Sequence, residues 1–322
     1  MRAVVLDADG LPELAELPEP SGDGLLVIVD ACGLCGSDVE KLGRAAAGTV
    51  LGHEVVGTLE NGARVTVMHH VPCGACERCL AGHGSTCGEF RATRIAPGGF
   101  AQRLRASHCV PLPETGGEHD GVWVEPLACV LRGIHEMEVR TGDTAVVIGC
   151  GPIGLKYIRM LSRRGLRVIA LARRAAPLEL ARRLGASATI NVNDVPDLIA
   201  AVKDLTEDRR GPDAVVEATG NPAVWKQSLA MVRRGGVVNF FSGLPAGQFV
   251  EIEPAEIHYS EIKIISPFHH TPRFIREALE AIRRGDILAH DFVTEEIRLD
   301  ELPQAFERMK SRSGEIKLAV RP

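Results

Sequence analysis

From Asp143 onward, short apolar runs alternate with stretches whose apolar residues recur at helical spacing. "TAVVIG" reads as a strand, "GPIGLKYIRMLSRRG" as a helix, "RVIALA" as a strand, "PLELARRLGA" as a helix and "ATINV" as a strand. The alternation continues with "LIAAVKDLT" as helix, "DAVVEATG" as strand, "AVWKQSLAMVRRGG" as helix, and "VVNFFSG" and "IKIISP" as strands. Strand and helix in strict turn imply parallel pairing through crossover helices, so the pattern predicts an α/β unit with a doubly wound parallel sheet.

Residues 1–126 lack that rhythm. Their β-like runs, "RAVVLD", "LLVIVDACG" and "ARVTVMHHV", are separated by segments rich in Gly, Pro, Cys and His, which predicts an irregular, mostly β domain. The tail adds two amphipathic helices, "PRFIREALEAIRRG" and "LPQAFERMKS", and a last strand, "IKLAV". Because the parallel sheet is complete without it, the tail is expected to return to the first domain. The predicted division is therefore 1–126 with 268–322, and 127–267.

Composition narrows the class. A chain of 322 residues with 45% hydrophobic and 25% charged residues is globular and long enough for two domains. A net charge of -5 argues against a general nucleic-acid or membrane-surface binder, and the doublets Arg163-Arg164, Arg182-Arg183, Arg233-Arg234 and Arg283-Arg284 read as solvated faces. Asp7 and Asp9 interrupt the apolar start where an export signal needs continuity. The longest stretch free of Asp, Glu, Lys and Arg, Gly235 to Val250, is too short to span a bilayer. A cytoplasmic location is expected. There, nine cysteines are better explained by metal ligation than by disulfides.

"VIGCGPIG" places Gly149, Gly151 and Gly154 in a G-x-G-x-x-G pattern, with Pro152 and Ile153 between the last two. The pattern gains meaning because it leaves a predicted strand and opens a predicted helix. Such glycines let the backbone turn sharply and approach a pyrophosphate, which the helix N-terminus then holds. NAD sites place an acid at the end of the second strand. Here "IALARRAAP" puts Ala172, Arg173 and Arg174 there instead, so the prediction is NADP(H) over NAD(H), with the guanidinium groups taking the 2′-phosphate.

Two metal constellations follow. Cys73, Cys76, Cys79 and Cys87 fall within 15 residues as C-x2-C-x2-C-x7-C, a spacing suited to tetrahedral zinc. Four protein ligands leave no position for substrate, so this site is expected to be structural. The second set is dispersed: Cys35 and Ser37 in "GLCGSD", His53 and Glu54 in "LGHE", and Glu125 in "WVEPLACV". A thiolate, an imidazole and a carboxylate would leave a fourth position open, as catalytic zinc needs. Spacing does not decide between that and a core histidine with a redox Cys32–Cys35 pair.

In order along the chain, "CGLCGSD", "GHE", the four-cysteine lobe, "GGFAQR", "VEPLACVLRG", "GCGPIG", "LGA" and "EATG" resemble the zinc-dependent medium-chain dehydrogenases, in particular the polyol and threonine dehydrogenase branch. The resemblance covers nearly the whole chain. It implies a GroES-like, mostly β catalytic domain plus a Rossmann doubly wound parallel sheet, assembled as a homodimer or homotetramer. It implies two zinc ions per subunit: a catalytic one on Cys35, His53 and Glu125, with Glu54 as an alternate ligand, and a structural one on Cys73, Cys76, Cys79 and Cys87. The implied reaction is hydride transfer between a secondary alcohol and NADP, with Ser37 accepting the hydroxyl proton. The chain departs from the family in carrying Glu40 where an outer relay histidine often stands, in a shorter loop after His53, and in the Arg173-Arg174 pair.

A carboxylate ligand and few aromatic residues favour polyols, sugars or cyclitols as substrates. Threonine or simple alcohols with NAD, or a non-catalytic nucleotide-binding protein, are the alternatives. His269 and His270 in "SPFHHTP", with Arg94 and Arg103, are candidate substrate contacts or surface residues. His69 and His70 read as packing residues, and Cys109, Cys129 and Cys150 as small core residues.

Overall fold

A computed structural model describes residues 1–113, 120–292, 295–311 and 317–322. Ile316, the first residue of the last predicted strand, lies outside the described residues. The chain divides into two compact units, Met1–Ala128 with His270–Pro322, and Cys129–His269.

In the second unit the apolar runs form six strands: β1 (Thr144–Ile148), β2 (Arg167–Ala172), β3 (Ala188–Asn191), β4 (Ala214–Glu217), β5 (Val237–Phe240) and β6 (Lys263–Ile265). They lie in the order β3-β2-β1-β4-β5-β6, and every pair is parallel. This is the Rossmann-type order, whose direction of growth reverses beside β1, the place where such sheets bind ligands. Val146, Ile169, Val215 and Val238 are fully buried, as strands covered on both faces require.

The glycine pattern shapes the turn out of β1. Gly149 has φ +100, a backbone region that side chains rarely adopt, and its N–H donates to Leu171 O at 2.9 Å. Gly151 caps helix α1 (Pro152–Arg163), with Pro152 in the first turn, where its missing N–H costs nothing. Gly154 lets the helix pack on the turn, since a β-carbon there would stand 1.7 Å from the Gly149 carbonyl oxygen.

In the first unit, Leu25–Gly33 is the central strand. It pairs antiparallel with Glu54–Leu59, with Arg103–Ala106 at its start and with Leu318–Arg321 at its end. Arg64–Val67 and Cys109–Pro111 extend the sheet on one side. Glu295–Arg298 pairs parallel with Leu318–Arg321 on the other. The C-terminal strand thus lies in the first unit's sheet.

The longest element absent from the sequence reading is the helix Val124–Met137. Residues 124–134 are buried on every side, which erases the polar face that marks a helix in sequence. No helix among the described residues is long and apolar enough to cross a membrane.

Gly154→Ala is expected to lower unfolding free energy by about 1–3 kcal/mol, because the obstructing atom is backbone and cannot swing aside. Gly151→Ala, where an added β-carbon meets nothing within 4 Å, should leave it nearly unchanged. Urea unfolding of both variants checks the pair.

Candidate active site

The register of two strands builds the site. Gly33 pairs with Glu54, so Leu34 and Cys35, which leave one strand, come beside His53, which enters the other. Ala319 also pairs with Gly33, which brings Lys317 to the same place. Gly33 has no room for a side chain: a β-carbon would lie 2.0 Å from Glu54 Oε2.

After Gly33 the chain turns into the short helix Gly36–Glu40, with Cys35 as its N-cap. Asp38 of that helix is fully buried. Its Oδ2 accepts from the Cys35 N–H at 3.1 Å, and its Oδ1 accepts from the Gly52 N–H at 3.3 Å and lies 3.2 Å from His53 Nδ1. Burial works against a charge on either group. The proximity of the two outweighs it, holding the Asp38 carboxyl below its ordinary range and raising the His53 imidazole well above its own. With Nδ1 turned to Asp38, Nε2 is the nitrogen left for a metal, the arrangement by which a second carboxylate orients a histidine ligand. A metal displaces the imidazole proton on binding.

The ligand atoms of Cys35, His53 and Glu54 lie within 4.8 Å of one another, a fit for one ion with a position to spare. Glu54, 1% exposed, receives Lys317 Nζ at 2.8 Å on Oε1 and 2.6 Å on Oε2. Lys317 is also buried, donates to Leu34 O at 3.2 Å and stands 5.6 Å from the Trp123 ring centre. Each Glu54 oxygen keeps a lone pair for a metal. Burial alone would discharge Lys317, but the Glu54 carboxylate keeps its pKa above the ordinary value.

Ser37 and Glu40 are exposed on the same short helix. Glu125, in the first turn of Val124–Met137, lies near His69 and His270: the ligand atoms of these three are within 4.8 Å of one another. Arg94 and Arg103 are paired to acids, Glu89 at 3.2 Å and Glu19 at 2.7 Å. His269, at φ +64, turns the chain before His270, and its carbonyl and that of Phe268 accept from Arg132 Nη1. Cys32 is a free, fully buried thiol pushed well up by burial, which makes it inert as a redox partner for Cys35.

The four-cysteine segment folds into a knuckle. Cys76 caps the helix Glu77–Leu80, and its Sγ lies 3.5 Å from that of Cys79, which is 3.9 Å from that of Cys73. Sulfurs bound to one tetrahedral zinc at 2.3 Å stand roughly 3.8 Å apart. The Cys73 N–H donates to Cys87 Sγ and the Cys76 N–H to Cys73 Sγ, both at 3.4 Å; the backbone N–H groups of Ala75 and Cys76 hold the Cys73 thiol, and that of Cys73 the Cys87 thiol, below the ordinary range.

Comparison with known proteins agrees with this arrangement. Residues 21–114 match the alcohol dehydrogenase GroES-like domain, and residues 152–284 match the zinc-binding dehydrogenase domain. D-arabinitol dehydrogenase 1 of Uromyces fabae is 31% identical over 96% of this chain and 93% of its own length. The chain belongs to the zinc-binding alcohol dehydrogenase family. Sorbitol dehydrogenase of Bacillus subtilis is 28% identical over 100% of this chain and 97% of its own. Among solved structures, a zinc-binding dehydrogenase from Sinorhizobium meliloti bound to NADP superposes with a TM-score of 0.92 at 32% identity, covering 100% of this chain and 99% of that one. The protein is an NAD(P)-dependent zinc alcohol or polyol dehydrogenase, a GroES-like β domain joined to a six-stranded Rossmann-type sheet.

Sequence reasoning missed two residues of the dehydrogenase's site. Asp38 had a local signal, as the acid of "GSD" directly after Ser37. Lys317 had none, because its partner is 263 residues away in the chain.

Lys317→Met leaves the Glu54 charge buried without its partner and is expected to cost about 3–5 kcal/mol of stability. The double variant Lys317→Met/Glu54→Gln should recover most of that loss. Denaturant unfolding of the two measures it, and a single variant within about 1 kcal/mol of wild type contradicts the pairing.

Proposed function

We propose that this dehydrogenase interconverts polyol-like secondary alcohols and their carbonyl forms with NADP(H), using a catalytic zinc held by Cys35, His53 and Glu54. The observation that carries the metal assignment is the convergence of those three ligand atoms within 4.8 Å around a histidine already oriented by Asp38. When bound, the metal supplies Lewis acidity toward a hydroxyl or carbonyl oxygen. The chain's own residues do the rest. Asp38 fixes the His53 ring and the Cys35 backbone together. Lys317 balances the Glu54 charge. Ser37, exposed two residues beyond Cys35, takes the hydroxyl proton and gives it up to solvent.

The nucleotide is assigned to the turn of Gly149, Gly151, Pro152, Ile153 and Gly154, where the first amides of α1 face an anion. Arg173 and Arg174 follow the end of β2 and are both exposed, in the position from which guanidinium groups reach a ribose 2′-phosphate. The NADP carried by the S. meliloti neighbour supports that choice. The names of the arabinitol and sorbitol dehydrogenases support the substrate class. The knuckle of Cys73, Cys76, Cys79 and Cys87 is assigned a structural zinc. Assembly as a homodimer or homotetramer is read from the family resemblance and from β6, which pairs only with β5 among the described strands.

Cys35→Ser is expected to abolish turnover while cofactor binding, followed by nicotinamide fluorescence, persists. Cys76→Ser should instead lower the thermal midpoint, since a structural zinc contributes folding free energy. Retained turnover in Cys35→Ser refutes the catalytic assignment.

A panel of polyols, aldoses, cyclitols and threonine, each with both cofactors, should show activity on polyols with NADP. Arg173→Ala/Arg174→Ala should raise the KM for NADP by about 10- to 100-fold and leave that for NAD nearly unchanged. A wild-type preference for NAD overturns the cofactor assignment.

A further inference from the structure

Arg173 stands one residue beyond β2, where the backbone ladder of the sheet gives out. The two carbonyls before it are taken by the neighbouring strands. Leu171 O accepts from the Gly149 N–H at 2.9 Å on the β1 side, and Ala172 O accepts from the Val192 N–H at 2.9 Å on the β3 side. The register of β2 with β3 ends at the pair Ala172 and Asn191. The Arg173 carbonyl, next in line, is held by a side chain instead: Asn193 Nδ2 donates to it at 3.0 Å.

Asn193 is itself anchored to the end of β3. Its N–H donates to Asn191 Oδ1 at 3.1 Å, and the Asp194 N–H donates to Asn191 O at 3.0 Å, so the turn closes on the last residue of the strand. On the far side of Arg173, Arg174 caps the helix Ala175–Arg183 with extended backbone, φ -126 and ψ 143. Strand and helix cap are thus joined through Arg173 alone. A rotation of the peptide that carries its carbonyl re-aims the Arg173 side chain, and the Asn193 amide opposes that rotation.

Two physical consequences bear on an anion. The Arg173 side chain is exposed, so the protein aims it through its backbone, and a guanidinium with a fixed origin loses less freedom on binding a phosphate. A carbonyl oxygen left unpaired beside a phosphate would repel it, and the Asn193 donor takes up that oxygen. Asn193 is uncharged, so these effects matter to a cofactor bearing a 2′-phosphate and little to one bearing a 2′-hydroxyl.

We infer that Asn193 is a positioning residue for cofactor choice, holding the Arg173 carbonyl so that the guanidinium meets the 2′-phosphate of NADP(H). The inference rests on the assignment of NADP(H) made above.

The test is the Kd of NADPH and of NADH for the full-length, zinc-loaded protein, followed by nicotinamide fluorescence. Asn193→Leu, close in size but without the donor, should raise the Kd for NADPH by about 2- to 10-fold and leave the Kd for NADH and the thermal midpoint unchanged. Arg173→Ala should also weaken NADPH, and adding Asn193→Leu to it should have no further effect, because Asn193 acts through Arg173. Asn193→Ala should match Asn193→Leu and serves if that variant does not fold. Wild-type NADPH binding in the Asn193 variants, equal losses for NADPH and NADH, or additive losses in the double variant each overturn the role of Asn193. If Arg173→Ala weakens NADPH while Asn193→Leu does not, the cofactor assignment stands and only this inference falls. Unchanged NADPH binding in Arg173→Ala overturns the Arg173 contact and this inference with it.

Discussion

A carboxylate with no access to water, that of Asp38, holds two distant pieces of the chain in one geometry. It accepts from the backbone of Cys35 and of Gly52 and faces the Nδ1 of His53. A buried charge is tolerated only when its oxygens are fully engaged, so the loop leaving Leu25–Gly33 and the loop entering Glu54–Leu59 cannot separate without exposing a large penalty. The Cys35 and His53 side chains are set side by side by this one group. Preorganisation of that kind is what a catalytic metal site requires, because a ligand held by packing and hydrogen bonds loses little freedom on binding.

Lys317 and Glu54 repeat the device one residue along. Glu54 follows His53, so its position in the strand is tied to the ligand's, and Lys317 arrives from the last strand through the pairing of Ala319 with Gly33. The C-terminal strand therefore does more than finish a sheet. It delivers the cation that pairs with the buried carboxyl group of Glu54 beside Cys35. Gly33, where three strands meet, is glycine because the space a side chain needs is filled by Glu54 itself.

The nucleotide unit rests on a different constraint, the close approach of backbone to backbone. Gly149 and Gly154 are required by conformation and by contact with a carbonyl, whereas Gly151 faces open space and is suited to a close ligand. The motif itself was legible, since G-x-G-x-x-G stands between a predicted strand and a predicted helix. The replacement of an acid by Arg173 and Arg174 was equally local and equally readable.

Contiguous patterns announced most of the architecture. The six apolar runs from Thr144 to Ile265 were visible as strands because each is short and apolar and alternates with a helix, the four central ones being buried on both faces, and the four cysteines were visible because a knuckle takes its ligands from neighbouring turns. The helix Val124–Met137 escaped notice because burial of residues 124–134 on every side leaves no polar face to read over that stretch. The sequence by itself determined the α/β class, the nucleotide turn, the thiol knuckle and the candidates Cys35, His53, Glu54 and Glu125. Only the tertiary structure decided how those candidates are grouped, with Glu54 beside Cys35 and His53, and Glu125 beside His69 and His270. The reason is physical: ligand groups are assembled by strand register and buried charge pairing between segments as much as 263 residues apart, and nothing in local spacing encodes which of them meet.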